Sequence, residues 1–264
     1  MDPSEIVQLN QQAWDTQSRN VSSDWVVPVD QLTLTKASDG DWSVILTPNK
    51  AVPTEWFGEL AGADVLGLAS GGGQQMPVLA AAGAQVTSFD NSPVQLSKDA
   101  AVAQQYNLAL TTVQGDMADL SAFTDNSFDL IFHPVSNCFV PDIVTVWQEC
   151  ARVLRPGGRL LSGFMNPDFY LFDHDAIENG APLTVTYKLP MRDPDVLNQD
   201  EIEARIKAGY ALEFSHSLDT QLGAQINAGF VICGFYEDRW NAAATPLDLY
   251  MPTSMATLSI KQSW

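Results

Sequence analysis

The feature that most limits what this chain can fold into is a short apolar run that ends in three glycines. Val65-Leu66-Gly67-Leu68-Ala69 carries no charge and leads into Ser70-Gly71-Gly72-Gly73. Such a run, stopped by glycine, reads as a strand buried on both faces that enters a tight turn. The pattern after it is regular. Gln74 to Ala82 reads as a helix capped by Gly83, and Gln85 to Phe89 as a second strand closing at Asp90. Ser92-Pro93 then opens a helix that continues to about Tyr106. Leu110 to Val113 and Phe128 to Phe132 are the third and fourth strands. Ile143, Val146, Trp147, Cys150, Val153 and Leu154 form one helical stripe, stopped by Arg155-Pro156-Gly157-Gly158 before a fifth strand at Arg159–Phe164. Strands alternating with helices predict an α/β fold, a doubly wound and mostly parallel sheet covered on both faces. A helix near Gln199–Ala208, a strand at Ala211–Phe214, a helix at Leu218–Ala228 and a strand at Phe230–Phe235 are expected to complete seven strands.

Residues 1–60 do not follow this rhythm. Ser4 is a candidate cap for a short helix with Ile6, Leu9 and Ala13 on one face. Trp14, Trp25, Trp42 and Trp56 then punctuate segments rich in Pro and Asp. The expectation is an N-terminal arm over residues 1–60, either packed on the main domain or closing over a ligand. A main domain at residues 61–264 follows, with an insertion at about 165–200.

Charge narrows the partners. Thirteen Lys and Arg against thirty-two Asp and Glu give a formal charge of −19. Nucleic acid is disfavoured, because phosphate backbones are bound by basic residues that displace counterions, and between Lys50 and Arg152 the only Lys or Arg is Lys98. Cys138, Cys150 and Cys233 are odd in number and widely spaced, which suits neither a disulfide framework nor a zinc site. The acidic start of the chain does not read as a signal peptide, and the glycines and Pro77 interrupt its longest uncharged stretch. The expected setting is cytoplasmic, without a membrane.

In an open α/β sheet ligands bind at the carboxyl ends of the strands, near the point where strand order reverses. Three features fall there. The glycine turn follows the first strand. Asp90 closes the second, 19 residues after Gly71, where a ribose diol finds a carboxylate. Gly115-Asp116-Met117 follows the third. Together they suggest an adenosine-type ligand. The dinucleotide pattern G-x-G-x-x-G is imperfect, since Gly67, Ala69 and Gly72 occupy its positions.

Val65–Gly73, Val86–Asp90, Gln114–Met117, Phe128–Ile131 and Val153–Leu160 resemble the successive motifs of class I S-adenosylmethionine-dependent methyltransferases. The last is especially similar to the small-molecule branch termed type 11, and Leu218–Phe235 resembles that branch's final helix and strand. The resemblance implies a Rossmann-like methyltransferase fold, S-adenosyl-L-methionine as cofactor and a small-molecule methyl acceptor. It implies cofactor contacts at Ala69, Ser70, Gly71, Gly73, Asp90, Asn91, Asp116, Met117 and His133. By position, Asp90 would accept from the ribose hydroxyls and Asp116 from the adenine amino group, with the Met117 backbone reading a ring nitrogen. Two positions depart from the family. Gly67 stands where an acidic residue is usual, and Ala69 stands at the first motif glycine. The amino group of the methionine moiety must then find another acceptor, the His133 carbonyl or Ser70.

His133, directly after strand four, is the candidate general base, since histidine titrates near neutrality; the other reading gives it a purely structural place. His174 and His216 read as a solvated loop and a helix start. Two other functions stay open on sequence grounds: a non-catalytic protein binding S-adenosylmethionine or S-adenosylhomocysteine, and a dinucleotide-dependent oxidoreductase. The aromatic residues of the arm and of Phe164, Phe169, Tyr170 and Phe172 are candidate walls for an apolar acceptor.

Overall fold

A computed structural model describes the chain except Ser22, Ala242, Ser263 and Trp264. Seven strands form one sheet: β1 (Asp64–Leu68), β2 (Gln85–Asp90), β3 (Leu110–Gln114), β4 (Phe128–His133), β5 (Leu154–Met165), β6 (Phe230–Asp238) and β7 (Ser254–Lys261). Their order is β3-β2-β1-β4-β5-β7-β6. The five strands from β3 to β5 run parallel, and β7 is antiparallel to both β5 and β6. The expected doubly wound, mostly parallel sheet is therefore present. From β1 the chain winds outward through β2 and β3, then returns to β4 on the other side of β1, so the switch in strand order lies between β1 and β4.

Alternation along the strands decides which face each residue serves. Val65, Val86, Leu130 and Phe132 pack with Met76 and Leu79 of helix α3 (Gln75–Ala81) and with Leu34 and Ala37 of helix α2 (Gln31–Ser38). On the opposite face Leu66, Leu68, Phe89 and Ile131 meet Ile143, Val146, Trp147 and Cys150 of helix α5 (Ile143–Val153). Every residue of the predicted α5 stripe is buried. Asp142 starts that helix by accepting from the Val144 N–H, which satisfies one of the amides left unpaired at a helix N-terminus. Helix α4 (Pro93–Tyr106) begins as expected, with Ser92 accepting from the Gln95 N–H.

Three segments differ from expectation. The arm opens with a long helix, α1 (Pro3–Asn20), capped by Asp2 rather than Ser4. Its Ile6 and Ala13 pack on Ile202 and Ile206 of a helix at Gln199–Ala208 that lies in and beyond the insertion. Ala211–Phe214 is not a sheet strand, because its donors are taken elsewhere. The N–H groups of Leu212, Glu213 and Phe214 donate to Asn10 Oδ1, Asp193 Oδ2 and Cys138 O at 2.7, 2.9 and 2.7 Å. The strand beside β5 is instead Ser254–Lys261. Its fully buried Ser254, Thr257 and Ser259 hide it from a search for apolar runs. The helix expected at Leu218–Ala228 is split into a wide π turn over Asp219–Gly223 and a short α-helix over Ala224–Asn227. Within that wide turn, the Thr220 carbonyl accepts from Trp147 Nε1 at 3.1 Å.

Candidate active site

The carboxyl ends of β1, β2 and β3 open into a cavity of about 820 Å³. At the β1 end, Ala69 adopts a left-handed conformation with φ of 50°, and its N–H donates to Phe89 O at 2.7 Å. This turns the chain sharply, so that Ala69, Ser70 and Gly71 line the cavity together with Asp90, Asn91, Gly115, Asp116 and Met117. Seven of the nine proposed cofactor-contact residues thus stand on one wall.

Asp90 organises that wall. Its Oδ2 accepts from the Gly71 N–H at 3.0 Å and its Oδ1 from the Ser92 N–H at 2.9 Å. Each oxygen keeps lone-pair capacity for another donor. Burial pushes its pKa up to about 6, against the pull of those backbone donors. Asp116 is also raised, chiefly by burial. A Cβ on Gly71 would lie 2.8 Å from Gln95 Cβ and 3.2 Å from Asp90 Oδ2, so the tight turn needs the missing side chain. Two buried polar atoms on this wall, Ser70 Oγ and Gln95 Oε1, have no partner among the described residues. A close-set backbone turn, unsatisfied polar atoms and a carboxylate at the β2 end fit an adenosyl cofactor carrying a positive centre and no phosphate.

Gly73 and His133 are not part of the wall. The Gly73 N–H donates to buried Asp99 at 2.8 Å, and its carbonyl accepts from Val29 at 2.8 Å. Cβ atoms on Gly72 and Gly73 would lie 2.8 Å from Trp25 O and 3.1 Å from Pro28 Cβ. The second and third glycines therefore seat the arm, while the first faces the cavity. His133 is fully buried, with its Nδ1–H donating to Leu68 O at 2.9 Å and its ring edge against Trp147. Burial pushes its pKa down to about 4, so the ring is neutral and ties the end of β4 to the end of β1. Of the other histidines, His174 stacks on Phe169 with ring centres 3.6 Å apart, and His216 donates to the carbonyls of Asn137 and Val140. Among the described residues no group of His, Cys, Asp and Glu is arranged to hold a metal ion.

The arm supplies Val7, Asn10, Trp14, Gln17 and Trp25 to the cavity, and Trp14 meets Phe139 edge-on at 5.3 Å. Trp56, by contrast, is core. The arm is fastened to the cofactor wall: Ser92 Oγ donates to Asp15 Oδ1 at 2.6 Å, and Lys98 Nζ to Ser18 O at 2.9 Å. Phe169, Tyr170, Phe172 and Tyr187 of the insertion line the cavity as well. Phe164, also a candidate wall, is wholly buried in β5 and not part of the lining. Glu213 lines it too and escapes sequence reasoning, because the segment around it reads as a strand. The one available signal was a carboxylate inside the apolar run Ala211-Leu212-Glu213-Phe214.

Comparison with known proteins agrees with this geometry. Residues 66–162 match the family model described as a methyltransferase domain. A Bacillus subtilis (strain 168) protein, named as the uncharacterized methyltransferase YbaJ, is 46% identical over 256 residues, covering 97% of this chain and 98% of that one. Among solved structures, a Mesorhizobium loti S-adenosylmethionine-dependent methyltransferase superposes with a TM-score of 0.60 at 19% identity, covering 78% of this chain and 94% of the other. The Burkholderia thailandensis 1,6-didemethyltoxoflavin-N1-methyltransferase, solved with its acceptor and S-adenosylhomocysteine, gives a TM-score of 0.60 at 15% identity over 100% of this chain and 92% of that one. The chain belongs to the S-adenosylmethionine-dependent methyltransferase family.

Proposed function

We propose that this methyltransferase acts on a small molecule held in the same cavity as the cofactor, under the arm and the insertion. One observation carries the reading: a single cavity of about 820 Å³ joins the strand-end wall of Asp90 and Asp116 to the aromatic residues of the insertion. That volume suits a cofactor with a compact acceptor, since ligand sites span roughly 300–1,000 Å³. A formal charge of −19 supports an acceptor other than nucleic acid. No helix among the described residues is long and apolar enough to cross a membrane, and with three free cysteines this supports work in the cytoplasm.

S-adenosylmethionine, when bound, supplies a methyl group on a sulfonium, ready for in-line displacement. The chain's own residues do the rest. Asp90 accepts from the ribose hydroxyls through the capacity left on its two oxygens. Asp116 and the Met117 backbone read the adenine, and Asn91 flanks the ribose end. Ser70, beside Ala69 and Gly71, offers its unpartnered hydroxyl to the methionine moiety in place of the acidic residue that Gly67 lacks. Trp14 and Trp25 of the arm line the cavity and would help to hold donor and acceptor in near-attack geometry, worth up to about 7–11 kcal/mol in favourable cases. Gly73 and His133 support this wall from behind, holding the arm and the β1–β4 junction.

The test is calorimetric titration with S-adenosylmethionine, S-adenosylhomocysteine and NAD. Binding of the first two, and not of NAD, is expected. Asp90→Ala should weaken both by about 1.5–3 kcal/mol for each charge-assisted bond lost. Unchanged affinity in a folded variant would remove the ribose assignment.

A further inference from the structure

One pair of groups lines the cavity without belonging to the strand-end wall. Tyr170, 2% exposed, packs with Met165 and Met191 of the insertion and with Cys138. Its hydroxyl donates to Glu213 Oε2 at 2.8 Å, and both residues line the cavity. The Glu213 backbone is fixed by its own N–H bond to Asp193 and by that of Phe214 to the Cys138 carbonyl. Among the described residues no hydrogen bond reaches Glu213 Oε1. The carboxylate is therefore held by one oxygen and available at the other.

Its surroundings are acidic. Asp173, Asp175, Glu178 and Asp193 also line the cavity, and Arg205 is the only Lys or Arg among its lining residues. Arg205 is already engaged, 3.3 Å from Asp175 and 4.0 Å from Asp193. An anionic acceptor would enter against this field without a free cation to receive it. The aromatic side chains Phe169, Tyr170, Phe172 and Tyr187 instead offer flat apolar surface.

We propose that Glu213, positioned by Tyr170, is the base that takes the proton from the acceptor, and that the acceptor is an uncharged aromatic compound bearing an O–H or ring N–H. This rests on the reading of the cavity given above. The acceptor's O–H or N–H bond breaks and its proton goes to Glu213 Oε1. The electron pair left on oxygen or nitrogen forms the bond to the methyl carbon. The pair of the broken carbon–sulfur bond stays on sulfur, which becomes a neutral thioether. Burial and the Asp193 charge push Glu213 up to about 7, while the Tyr170 hydrogen bond and Arg205 act the other way and Asp175 adds to the rise. Cys138 and Tyr170 are themselves pushed well up by burial and stay protonated beside it. His216, also buried nearby, is held below its usual range. A base near neutrality suits a weakly acidic aromatic proton.

The experiment uses the full chain as wild type, Glu213→Gln, Glu213→Asp and Tyr170→Phe, with three readouts. Calorimetry with S-adenosylhomocysteine should give dissociation constants within about threefold of wild type for all variants. Difference infrared spectroscopy without ligand should show carboxyl C=O absorption with a midpoint near pH 7 in wild type, from Glu213 and Asp99, of which Glu213→Gln loses its own share and keeps that of Asp99. Labelled methyl transfer should reach catechol or benzimidazole and not protocatechuate or benzimidazole carboxylate. Glu213→Gln should lower kcat at least about 100-fold, with partial recovery in Glu213→Asp, and Tyr170→Phe should shift the acidic limb of the pH profile upward. A Glu213→Gln enzyme with wild-type rate and profile overturns the proposal, as does preference for the carboxylated compounds or transfer to none of the four. Should Glu213→Gln fail to fold, an unshifted limb in Tyr170→Phe overturns it equally. Failure of wild type to bind S-adenosylhomocysteine would instead refute the cofactor reading, which separates the two.

Discussion

Adding one methyl group at Gly67 tests why this chain lacks the acidic residue common in its family. Gly67 lies in the middle of the sheet, paired with Ser88 and Phe132. A Cβ there would sit 2.0 Å from Met76 Sδ, 2.7 Å from Met76 Cγ and 2.6 Å from Ser70 Oγ. Met76 is fully buried on α3, so its side chain already fills the room a residue at 67 would need. Gly67→Ala must force Met76 out of its rotamer, an overpacking cost of about 1–3 kcal/mol. Met76→Ala alone should cost about 2–5 kcal/mol through the cavity it leaves. In the double variant the new methyl enters that space, so the two changes should couple favourably by about 0.5–3 kcal/mol. Urea unfolding, followed by tryptophan fluorescence and by far-ultraviolet circular dichroism, measures all four corners of the cycle. A Gly67→Ala protein within about 0.5 kcal/mol of wild type, or strictly additive effects, would refute the claim that Met76 excludes a side chain at 67.

Affinity for S-adenosylhomocysteine should fall as pH drops through about 6, where Asp90 takes up a proton and its charge-assisted bonds are lost; calorimetry showing constant affinity from about pH 5 to 8 would contradict this. Asp99, buried and pushed up to about 7, binds its proton more tightly folded than unfolded. Its contribution to stability is therefore full below its ordinary 3.8 and is lost as pH rises through about 7. Asp99→Asn, whose amide can still serve Gly73 N–H and Ser88, should lack that loss, and melting temperatures from about pH 5 to 8 would show a flatter curve than wild type. All three histidines, His133, His174 and His216, are held below the ordinary 6.5 by burial. A proton NMR titration should show no histidine midpoint above that value, and one above it would restore a solvent-reachable ring. Asp15→Ala removes the acceptor of Ser92 Oγ and should cost about 1–3 kcal/mol of stability, the penalty for an unpaired buried donor, read by urea unfolding.

The parts of the fold that sequence revealed are those where one physical pattern dominates. The α5 stripe and the run through β1 are apolar enough to name both element and face. The carboxyl-end residues of β1, β2 and β3 were legible because turn chemistry and strand ends coincide there. Strand β7 was not, because buried Ser254, Thr257 and Ser259 are interspersed with its buried Met255, Ala256 and Leu258 and break up the apolar run, their hydroxyls partly satisfied in the core, Ser259 Oγ to Gln225 Oε1 for example. The segment around Glu213 has strand composition, yet its amides are captured by Asn10, Asp193 and Cys138, partners that lie far away in sequence. His133 illustrates the opposite error. Its position after β4 suggests chemistry, but only packing against Trp147 shows that the ring faces inward.

The seating of the arm on the glycine turn has an evolutionary consequence. Three consecutive glycines look like a single ligand-binding signature, but here they answer to two constraints. Gly71 is tied to the turn facing the cavity, whereas Gly72 and Gly73 are tied to the backbone of Trp25 and the ring of Pro28. Homologous chains that lack the Trp25–Pro28 segment would lose those contacts, yet Gly72 and Gly73 also sit at φ of 127° and 80°, where a side chain is strained whatever the space around it. All three positions should therefore stay glycine across such chains, 71 for want of room and 72 and 73 for their own backbone.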